Sequence, residues 1–350
     1  MVLAAATSKV IGRCASSSSL LAKNFSRSST LRLLQGGRTF TAAALQKVAF
    51  IQDQQIPRPD AEAALSGEGF SSQWCLDGPS DAWGLVTVTT PVTEEILDQH
   101  PNCKVVAVSF TGFNHVDMEA CRKRGISVVN VPAYSTDAVA ELTVGLAVTS
   151  FREVVVGDRA IREGKWVISE GGLEICNKTV GIVGIGAIGN RTAELFSAFR
   201  AKEILGWSRS PKPDFIGRQV DLETVFKSSD IVSVHVPLNA ETQGMIGRDL
   251  LQHLKPDSVL INVARGGVVD QTVLTEMLCE RRFRAALDVF EKEPLSQEDP
   301  LVTKVPPEQV VLIPHVGYKS KEALQRRIAI TAGNLRAFAD GKPRNLVSTW

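Results

Sequence analysis

Three glycines, Gly184, Gly186 and Gly189, follow an apolar strand pattern and open a helical one. In a strand–turn–helix unit the first glycine permits the turn, the second lets a pyrophosphate approach the backbone, and the third lets helix and strand pack closely. The phosphates then bind the N–H groups that begin the helix, here those near Ala187 and Ile188. The pattern predicts a dinucleotide site at this turn.

The residues after the second strand of this unit indicate which dinucleotide is bound. An acid about 20 residues past the glycines would accept a hydrogen bond from the ribose 2′-hydroxyl of NAD. Ser208, Arg209 and Ser210 stand there instead. Hydroxyl groups and a permanently charged guanidinium can bind and neutralise a 2′-phosphate. We expect NADP to be preferred, with NAD as the alternative, because the lack of an acid does not require a phosphate.

Polar residues also follow four other strand patterns of the second half of the chain, at His235, Arg265, Asp288 and His315. In open α/β sheets, ligands bind beyond the carboxyl ends of the strands. These side chains are therefore expected to lie along one edge of a sheet, beside the dinucleotide.

The elements that position these residues form two series in which short β-branched runs alternate with amphipathic stretches, as βα units around parallel sheets do. The first series has strand patterns at 48–51, 85–88, 105–108 and 126–129, and the second at 179–183, 204–207, 231–234, 259–263, 285–287 and 310–313. One long helical pattern, 136–163, joins the series, and a last one, 321–340, is expected to return to the first.

The predicted fold class is α/β with two Rossmann-like doubly wound domains. One is a discontinuous, flavodoxin-like substrate domain formed by residues 47–148 and 318–350, and the other is a dinucleotide-binding domain of six or more strands at 149–317. Residues 1–46 are predicted to be a disordered transit peptide, since seven Lys or Arg and no acid precede Asp53. We expect import into mitochondria, with plastids as the alternative.

Composition excludes several function classes. The 350 residues carry a net charge of +1, which gives no overall field for nucleic acid, and no apolar run is long enough to span a membrane. Six scattered cysteines show no metal-ligand spacing, so no metal site is predicted. Function is expected to reside in a small-molecule site.

Several motifs, in a fixed order after Lys47, resemble the D-isomer-specific 2-hydroxyacid dehydrogenase family, which includes glycerate dehydrogenases and hydroxypyruvate and glyoxylate reductases. Besides the glycine turn they are SDIVSVHVPL at 229–238, NVARGG at 262–267, ALDVFEKEP at 286–294 and PHVG at 314–317. The resemblance implies that Arg265, Glu293 and His315 are catalytic. It also implies cofactor contacts at His235, Val236, Pro237, Thr242, Val263, Ala264, Arg265, Asp288, His315 and Gly317.

Physical chemistry gives each implied residue a role. A fork-shaped cation such as Arg265 can hold the carboxylate of a 2-oxoacid and polarise its carbonyl. His315 can supply the proton, and Glu293 would hold the imidazole and favour its charged form. Glu291 is the competitor for that role, although the spacing in the family favours Glu293.

The first series contains a further glycine loop, at Thr111 and Gly112, which looks like the substrate loop of the family. Its backbone N–H groups are expected to bind the substrate carboxylate opposite Arg265.

The expected function is the NAD(P)H-dependent reduction of a small 2-oxoacid, of glyoxylate or hydroxypyruvate type, to a D-2-hydroxyacid by a homodimer. Another dehydrogenase of the same fold, for D-lactate or formate, is an alternative, although formate dehydrogenases carry Gln at the place of Glu293. A second alternative, from another class, is a dinucleotide-sensing scaffold that resembles the C-terminal-binding corepressors.

Overall fold

A computed structural model describes residues 32–35, 38–41, 45–51, 56–75, 78–166, 171–348 and 350. The chain divides into two units, Met1–Leu45 and Gln46–Trp350. In the first unit, strands β1 (Arg32–Gln35) and β2 (Arg38–Thr41) pair antiparallel. Most of the predicted transit peptide, 1–46, lies outside the described residues, so that interpretation stays a prediction.

The second unit contains two parallel sheets with helices on their faces, which confirms the predicted fold class. The five strands of the first sheet lie in the order β4-β3-β5-β6-β7, which is the flavodoxin-like order. They are β3 (Gln46–Ile51), β4 (Phe70–Cys75), β5 (Gly84–Thr87), β6 (Val105–Val108) and β7 (Ser127–Val129). The edge strand β4 was not predicted, because its sequence FSSQWC lacks the apolar run of a buried strand.

Three helices belong to this sheet: α1 (Arg58–Gly67), α2 (Glu94–Asp98) and α3 (Met118–Lys123). The side chains of Thr93 and Asp117 accept hydrogen bonds from backbone N–H groups in the first turns of α2 and α3, respectively. These caps fix where each helix begins, and so where the preceding loop ends.

The predicted single helix at 136–163 is wrong. Two helices, α4 (Thr136–Phe151) and α5 (Val154–Arg162), are separated at Glu153, whose φ of 52° is left-handed. Arg284 holds this break, because its guanidinium donates to the carbonyl of Ser150 at 3.0 Å and to the carboxylate of Glu153 at 2.9 Å. A tertiary contact therefore overrides a helical pattern that is continuous in the sequence.

The second sheet has seven parallel strands in the order β10-β9-β8-β11-β12-β13-β14. They are β8 (Thr179–Val183), β9 (Glu203–Trp207), β10 (Arg218–Gln219), β11 (Ile231–Val234), β12 (Val259–Asn262), β13 (Arg284–Leu287) and β14 (Val310–Leu312). Its helices are α6 (Ala187–Ala198), α7 (Leu222–Ser228), α8 (Arg248–Leu251), α9 (Gln271–Cys279) and α10 (Pro300–Thr303). The short strand β10 was not predicted.

The last helix, α11 (Lys321–Ala339), packs on the first sheet. Its Ile328, Ala332 and Leu335 are buried in one apolar cluster with Val48 and Val86. The chain then passes along β7, where Leu346 forms an antiparallel bridge with Val129. Among the described residues, no helix is both long and apolar enough to cross a membrane.

Candidate active site

The glycine turn has the geometry that a dinucleotide requires. Gly184 has a φ of 106°, and a Cβ on Gly189 would lie 2.1 Å from the carbonyl oxygen of Gly184, so both positions exclude larger residues. Gly186 begins α6 and is exposed, and a Cβ there would meet no atom within 4 Å. The first N–H groups of α6, at Ala187 and Ile188, therefore face open space that a pyrophosphate would fill.

The end of β11 closes one side of this turn. A Cβ on Gly184 would lie 2.8 Å from the backbone of His235 and Val236. The hydroxyl of Thr242 donates to the carbonyl of Pro237 at 2.6 Å and holds the loop that follows. Burial lowers the pKa of His235 to about 3, so its ring is neutral at physiological pH and hydrogen-bonds the hydroxyl of Ser233 at 2.8 Å.

The loop after β9, predicted to bind the adenosine end of the cofactor, is held by its own hydrogen bonds. Ser208 donates to the carbonyl of Ser210 at 2.6 Å, and the amide of Gln219 donates to both residues. Arg209 is 79% exposed and pairs with Glu241 at 2.6 Å. Sequence reasoning missed Gln219, because the two-residue strand that carries it leaves no pattern.

Glu293 and His315, which lie on separate loops, form a hydrogen-bonded pair. The carboxylate of Glu293 lies 2.7 Å from Nδ1 of His315 and also accepts from the N–H of Phe290 at 3.0 Å. Burial acts to raise the pKa of Glu293, but these hydrogen bonds outweigh it and the net pKa is lowered. Because a carboxylate only accepts, Nδ1 donates and Nε2 is left for a substrate. The structure places Glu293, rather than Glu291, against the ring.

Asp288 fixes the loop that carries His315. Its two carboxylate oxygens accept from the N–H groups of Val316 at 2.7 Å and Gly317 at 2.8 Å. His315 itself has a φ of 51°, a left-handed conformation that side chains other than glycine adopt only when their surroundings impose it. Burial raises the pKa of Asp288. Its implied contact with the cofactor stays a prediction.

Arg265 follows β12 and is held from three sides. The amide of Asn262 donates to the carbonyl of Arg265 at 3.0 Å, and the guanidinium donates to the carbonyl of Ala264 at 2.7 Å and lies 6.0 Å from the ring of Phe110. A Cβ on Gly266 would lie 1.9 Å from the backbone of Phe290, so glycine is required for this loop to pass the Glu293 loop. Burial lowers the pKa of Arg265, yet a guanidinium keeps its charge.

The substrate loop of the first sheet lies against Arg265. A Cβ on Gly112 would be 2.9 Å from Nη2 of Arg265. Within the described part of the chain, the backbone N–H groups of Thr111 and Gly112 have no acceptor. These two N–H groups, beside a half-buried cation, form a site for an anion. The geometry thus brings together the predicted residues Thr111, Gly112 and Arg265.

Aromatic side chains that sequence reasoning did not assign complete this region. The ring of Tyr318 packs edge-on against His315 at 5.9 Å and against Phe110 at 5.4 Å. Phe110 also lies 6.2 Å from Tyr134, which is buried. Phe110 directly precedes the glycine loop and Tyr318 follows His315 by three residues. This closeness in sequence was the signal that could have assigned them to the site. These rings form an aromatic cluster beside His315 on the side of the first sheet.

Comparison with known proteins identifies the family. Residues 144–317 match the model of the D-isomer specific 2-hydroxyacid dehydrogenase NAD binding domain. A glyoxylate reductase of Thermococcus litoralis is 41% identical over 279 residues, which cover 75% of this chain and 83% of that protein. A hydroxypyruvate reductase of Thermotoga maritima is 36% identical over 250 residues, which cover 70% and 80%.

A solved structure agrees. The NADPH-dependent glyoxylate/hydroxypyruvate reductase of Sinorhizobium meliloti, in complex with NADP and malonate, is 28% identical, with a TM-score of 0.76 over 87% of this chain and 97% of that chain. The fold, the site geometry and these relatives lead to one conclusion. The chain belongs to the D-isomer-specific 2-hydroxyacid dehydrogenase family and is an NAD(P)-dependent enzyme that interconverts 2-oxoacids and D-2-hydroxyacids.

Proposed function

We propose that the enzyme reduces glyoxylate or hydroxypyruvate, with NADPH as the preferred cofactor. The observation that carries the proposal is the position of Arg265. Its guanidinium lies beside Gly112, and among the described residues the N–H groups of Thr111 and Gly112 have no acceptor. Arg265 also interacts electrostatically with Glu293, the partner of His315. This arrangement fits a small molecule with a carboxylate at one end and a carbonyl next to it. The names of the relatives from Thermococcus litoralis and Thermotoga maritima point to the same substrates.

The protein's own groups would bind and polarise the substrate. The carboxylate of the substrate is held by the N–H groups of Thr111 and Gly112 and by Arg265. The planar guanidinium of Arg265 can also contact the carbonyl oxygen of the substrate. This contact strengthens as negative charge develops on that oxygen, so it favours the transition state over the bound substrate. The reduced nicotinamide, when bound, would supply the hydride.

Proton transfer is assigned to the Glu293–His315 pair. Nε2 of His315 gives its proton to the forming alkoxide, while the carboxylate of Glu293 stabilises the imidazolium before the transfer. In the oxidation direction, the neutral ring takes the proton from the hydroxyl group. Asp288 keeps the ring in place through the backbone of Val316 and Gly317.

The preference for NADPH rests on the loop after β9. None of the five residues that directly follow β9, 208–212, carries a carboxylate that could accept from a ribose 2′-hydroxyl, and the first acid of the loop is Asp214. Ser208 and Arg209 can donate to a phosphate. When the 2′-phosphate binds, the guanidinium of Arg209 must either leave Glu241 or contact Glu241 and the phosphate together.

The experiment is a cofactor-oxidation assay of the full chain with glyoxylate, hydroxypyruvate, pyruvate and formate, each with NADPH and with NADH. We expect the first two substrates and NADPH to give the highest kcat/KM. His315→Gln should abolish turnover and keep cofactor affinity, whereas the control His253→Gln, whose side chain is half-buried like that of His315, should change neither. Cofactor binding without turnover of any substrate would instead favour the sensing scaffold.

We further propose a homodimer formed through the nucleotide-binding side of the molecule. Helix α5 exposes Val154, Val155 and Ile161, and the nearby Trp166 is 84% exposed. Apolar side chains grouped in this way are typical of an interface between subunits. Sedimentation should give a dimer for the full chain and a monomer for Trp166→Glu combined with Ile161→Glu; a monomeric wild type would refute the proposal.

For residues 1–46 we propose a role in mitochondrial import, supported by their basic, acid-free composition. A reporter fused to this segment should enter isolated mitochondria. Entry into plastids alone, or into neither organelle, would contradict the proposal.

A further inference from the structure

We infer that Asn130, held in turn by Asn334 and Asn345, is a positioning residue that orients the substrate loop. The inference deepens the proposed function and rests on it, because it concerns how the loop binds the substrate carboxylate. Three asparagines from separate parts of the chain meet behind Thr111, on the side of the loop where its carbonyl groups are bound. None of them belongs to the glycine turn or to the motifs at 229–238, 262–267, 286–294 and 314–317.

Two consecutive peptide groups of the loop are bound by their carbonyl oxygens. The N–H of Val131 donates to the carbonyl of Phe110 at 3.0 Å, and the amide of Asn130 donates to the carbonyl of Thr111 at 2.8 Å. The hydroxyl of Thr111 is also bound, to the carbonyl of Val131 at 3.0 Å. One short segment, residues 130 and 131, therefore binds both peptide groups from the same side.

The orientation of the N–H groups follows from the planarity of the peptide bond. In a trans peptide the C=O and N–H groups point in opposite directions. The peptide whose carbonyl belongs to Phe110 carries the N–H of Thr111, and the next one carries the N–H of Gly112. Binding both carbonyls from the side of Asn130 therefore turns both N–H groups the other way, as an anion-binding site next to Arg265 needs.

Asn130 is itself fixed at every backbone group. Its N–H donates to the carbonyl of Asn345 at 3.1 Å, and its carbonyl accepts from the amide of Asn334 at 2.8 Å. The amide of Asn345 donates to the side-chain oxygen of Asn334 at 2.9 Å, which closes the network. Because backbone carbonyls only accept, the nitrogen ends of Asn130 and Asn334 are assigned without ambiguity.

This network links the substrate loop to α11 and to the chain beyond it. Asn334 is 1% exposed and Asn130 9% exposed, so water does not readily replace the lost partners when one amide is removed. Asn345 has a φ of 54°, a left-handed conformation that asparagine tolerates better than most residues. The last helix, which carries none of the implied catalytic residues, thereby helps to set the substrate affinity.

The test compares Asn130→Leu with Thr331→Val. Leucine has a similar volume but no donor, and it adds no charge near the anion site. Thr331 is the matched control, because it lies in α11 within one turn of Asn334, is 5% exposed and bonds the hydroxyl of Ser109 at 2.8 Å without touching Thr111. Both variants lose one buried hydrogen-bonding group, so a general loss of packing would affect both.

We expect Asn130→Leu to raise the KM for the 2-oxoacid about tenfold and to change kcat about threefold or less, because the N–H groups bind substrate and transition state alike. The Kd of oxamate, a 2-oxoacid analogue that is not reduced, should rise about tenfold as well. The Kd of NADPH should not change. Thr331→Val should keep KM and the oxamate Kd within about twofold of wild type.

Equal rises of KM in both variants, or an unchanged oxamate Kd in Asn130→Leu, would overturn the inference. If Asn130→Leu does not fold, Asn334→Leu, which removes the donor to the carbonyl of Asn130, should give a smaller rise of the same kind, and no rise would overturn it. A wild type that binds oxamate but reduces no 2-oxoacid would refute the proposed function alone. A wild type that does not bind oxamate would contradict both.

Discussion

Arg265 and Arg209 lie at opposite ends of the same site and are held in opposite ways. Arg265 is half-buried, its loop is fixed by Asn262, and its guanidinium lies beside Gly112, whose N–H has no acceptor among the described residues. Arg209 is 79% exposed and already has an acid, Glu241, as its partner. Both were predicted from sequence to bind an anionic group of a ligand.

The difference shows which part of the reaction is built into the fold. The groups around the reacting carbonyl are fixed before any ligand binds, so little reorganisation is needed in the transition state. Arg209, which would bind the 2′-phosphate at the other end of the cofactor, must exchange Glu241 for the phosphate in water, where an ion pair contributes little free energy. We therefore expect large effects of mutation at the first end and modest ones at the second.

The largest effect is expected for Arg265→Ala. Loss of a half-buried cation that binds the developing oxyanion should lower kcat/KM for hydroxypyruvate by about 10³-fold, near the upper limit for one such donor. The NADPH Kd should stay close to that of wild type. A loss below about tenfold in steady-state kinetics would contradict the contrast between the two arginines.

The next largest effect is expected for Glu293→Gln. Its kcat should be about 10²-fold lower, because the neutral amide of glutamine cannot stabilise the imidazolium of His315. Glu291→Gln is the matched control. It lies two residues away, its backbone N–H contacts Gln271, and its carboxylate does not meet His315. Equal losses of kcat in Glu293→Gln and Glu291→Gln would show that Glu293 acts by stabilising its loop and not by its contact with the imidazole of His315.

Arg209→Leu should raise the KM for NADPH about tenfold and leave that for NADH almost unchanged, as the loss of one charge-assisted contact to a phosphate implies. Glu241→Gln sharpens the same comparison. It frees Arg209 from its partner and should lower the KM for NADPH by about twofold. Parallel shifts for both cofactors would exclude a role for Arg209 at a 2′-phosphate.

The last prediction concerns the pH dependence of the free energy of unfolding at His235, and not catalysis. Burial lowers the pKa of His235 from 6.5 to about 3. Between these two pH values, the imidazole is therefore protonated in the unfolded chain and neutral in the folded chain. Wild type should therefore lose stability relative to His235→Gln as pH falls from 7 toward 4. Urea unfolding at both ends of this range measures the change, and a constant difference would mean that the ring protonates in the folded state.

The parts of the site that depend on local sequence patterns can be predicted from the sequence. The glycine turn and the polar residues after β11, β12, β13 and β14 can be read directly, because a strand end fixes where the next side chains lie. The edge strand β4 and the break at Glu153 could not be read, since an edge position and the ion pair with Arg284 exist only in the folded chain.

The same limit applies within the site. Asn130, Asn334 and Asn345 lie up to 215 positions apart and carry no motif, so only the fold shows that they share a network. Glu241 is missed for another reason. An exposed acid is unremarkable in a sequence, and its importance depends on the side chain of Arg209 that it faces.

The most direct measurement uses NADPH with deuterium at both C4 positions of the nicotinamide and follows the label to hydroxypyruvate, with product configuration assigned on a chiral column. We predict D-glycerate with one deuterium at C2 from wild type, and label transfer that is about 10³-fold slower from Arg265→Ala. L-glycerate, unlabelled product, or transfer by Arg265→Ala at the wild-type rate would contradict the assignment of the catalytic centre.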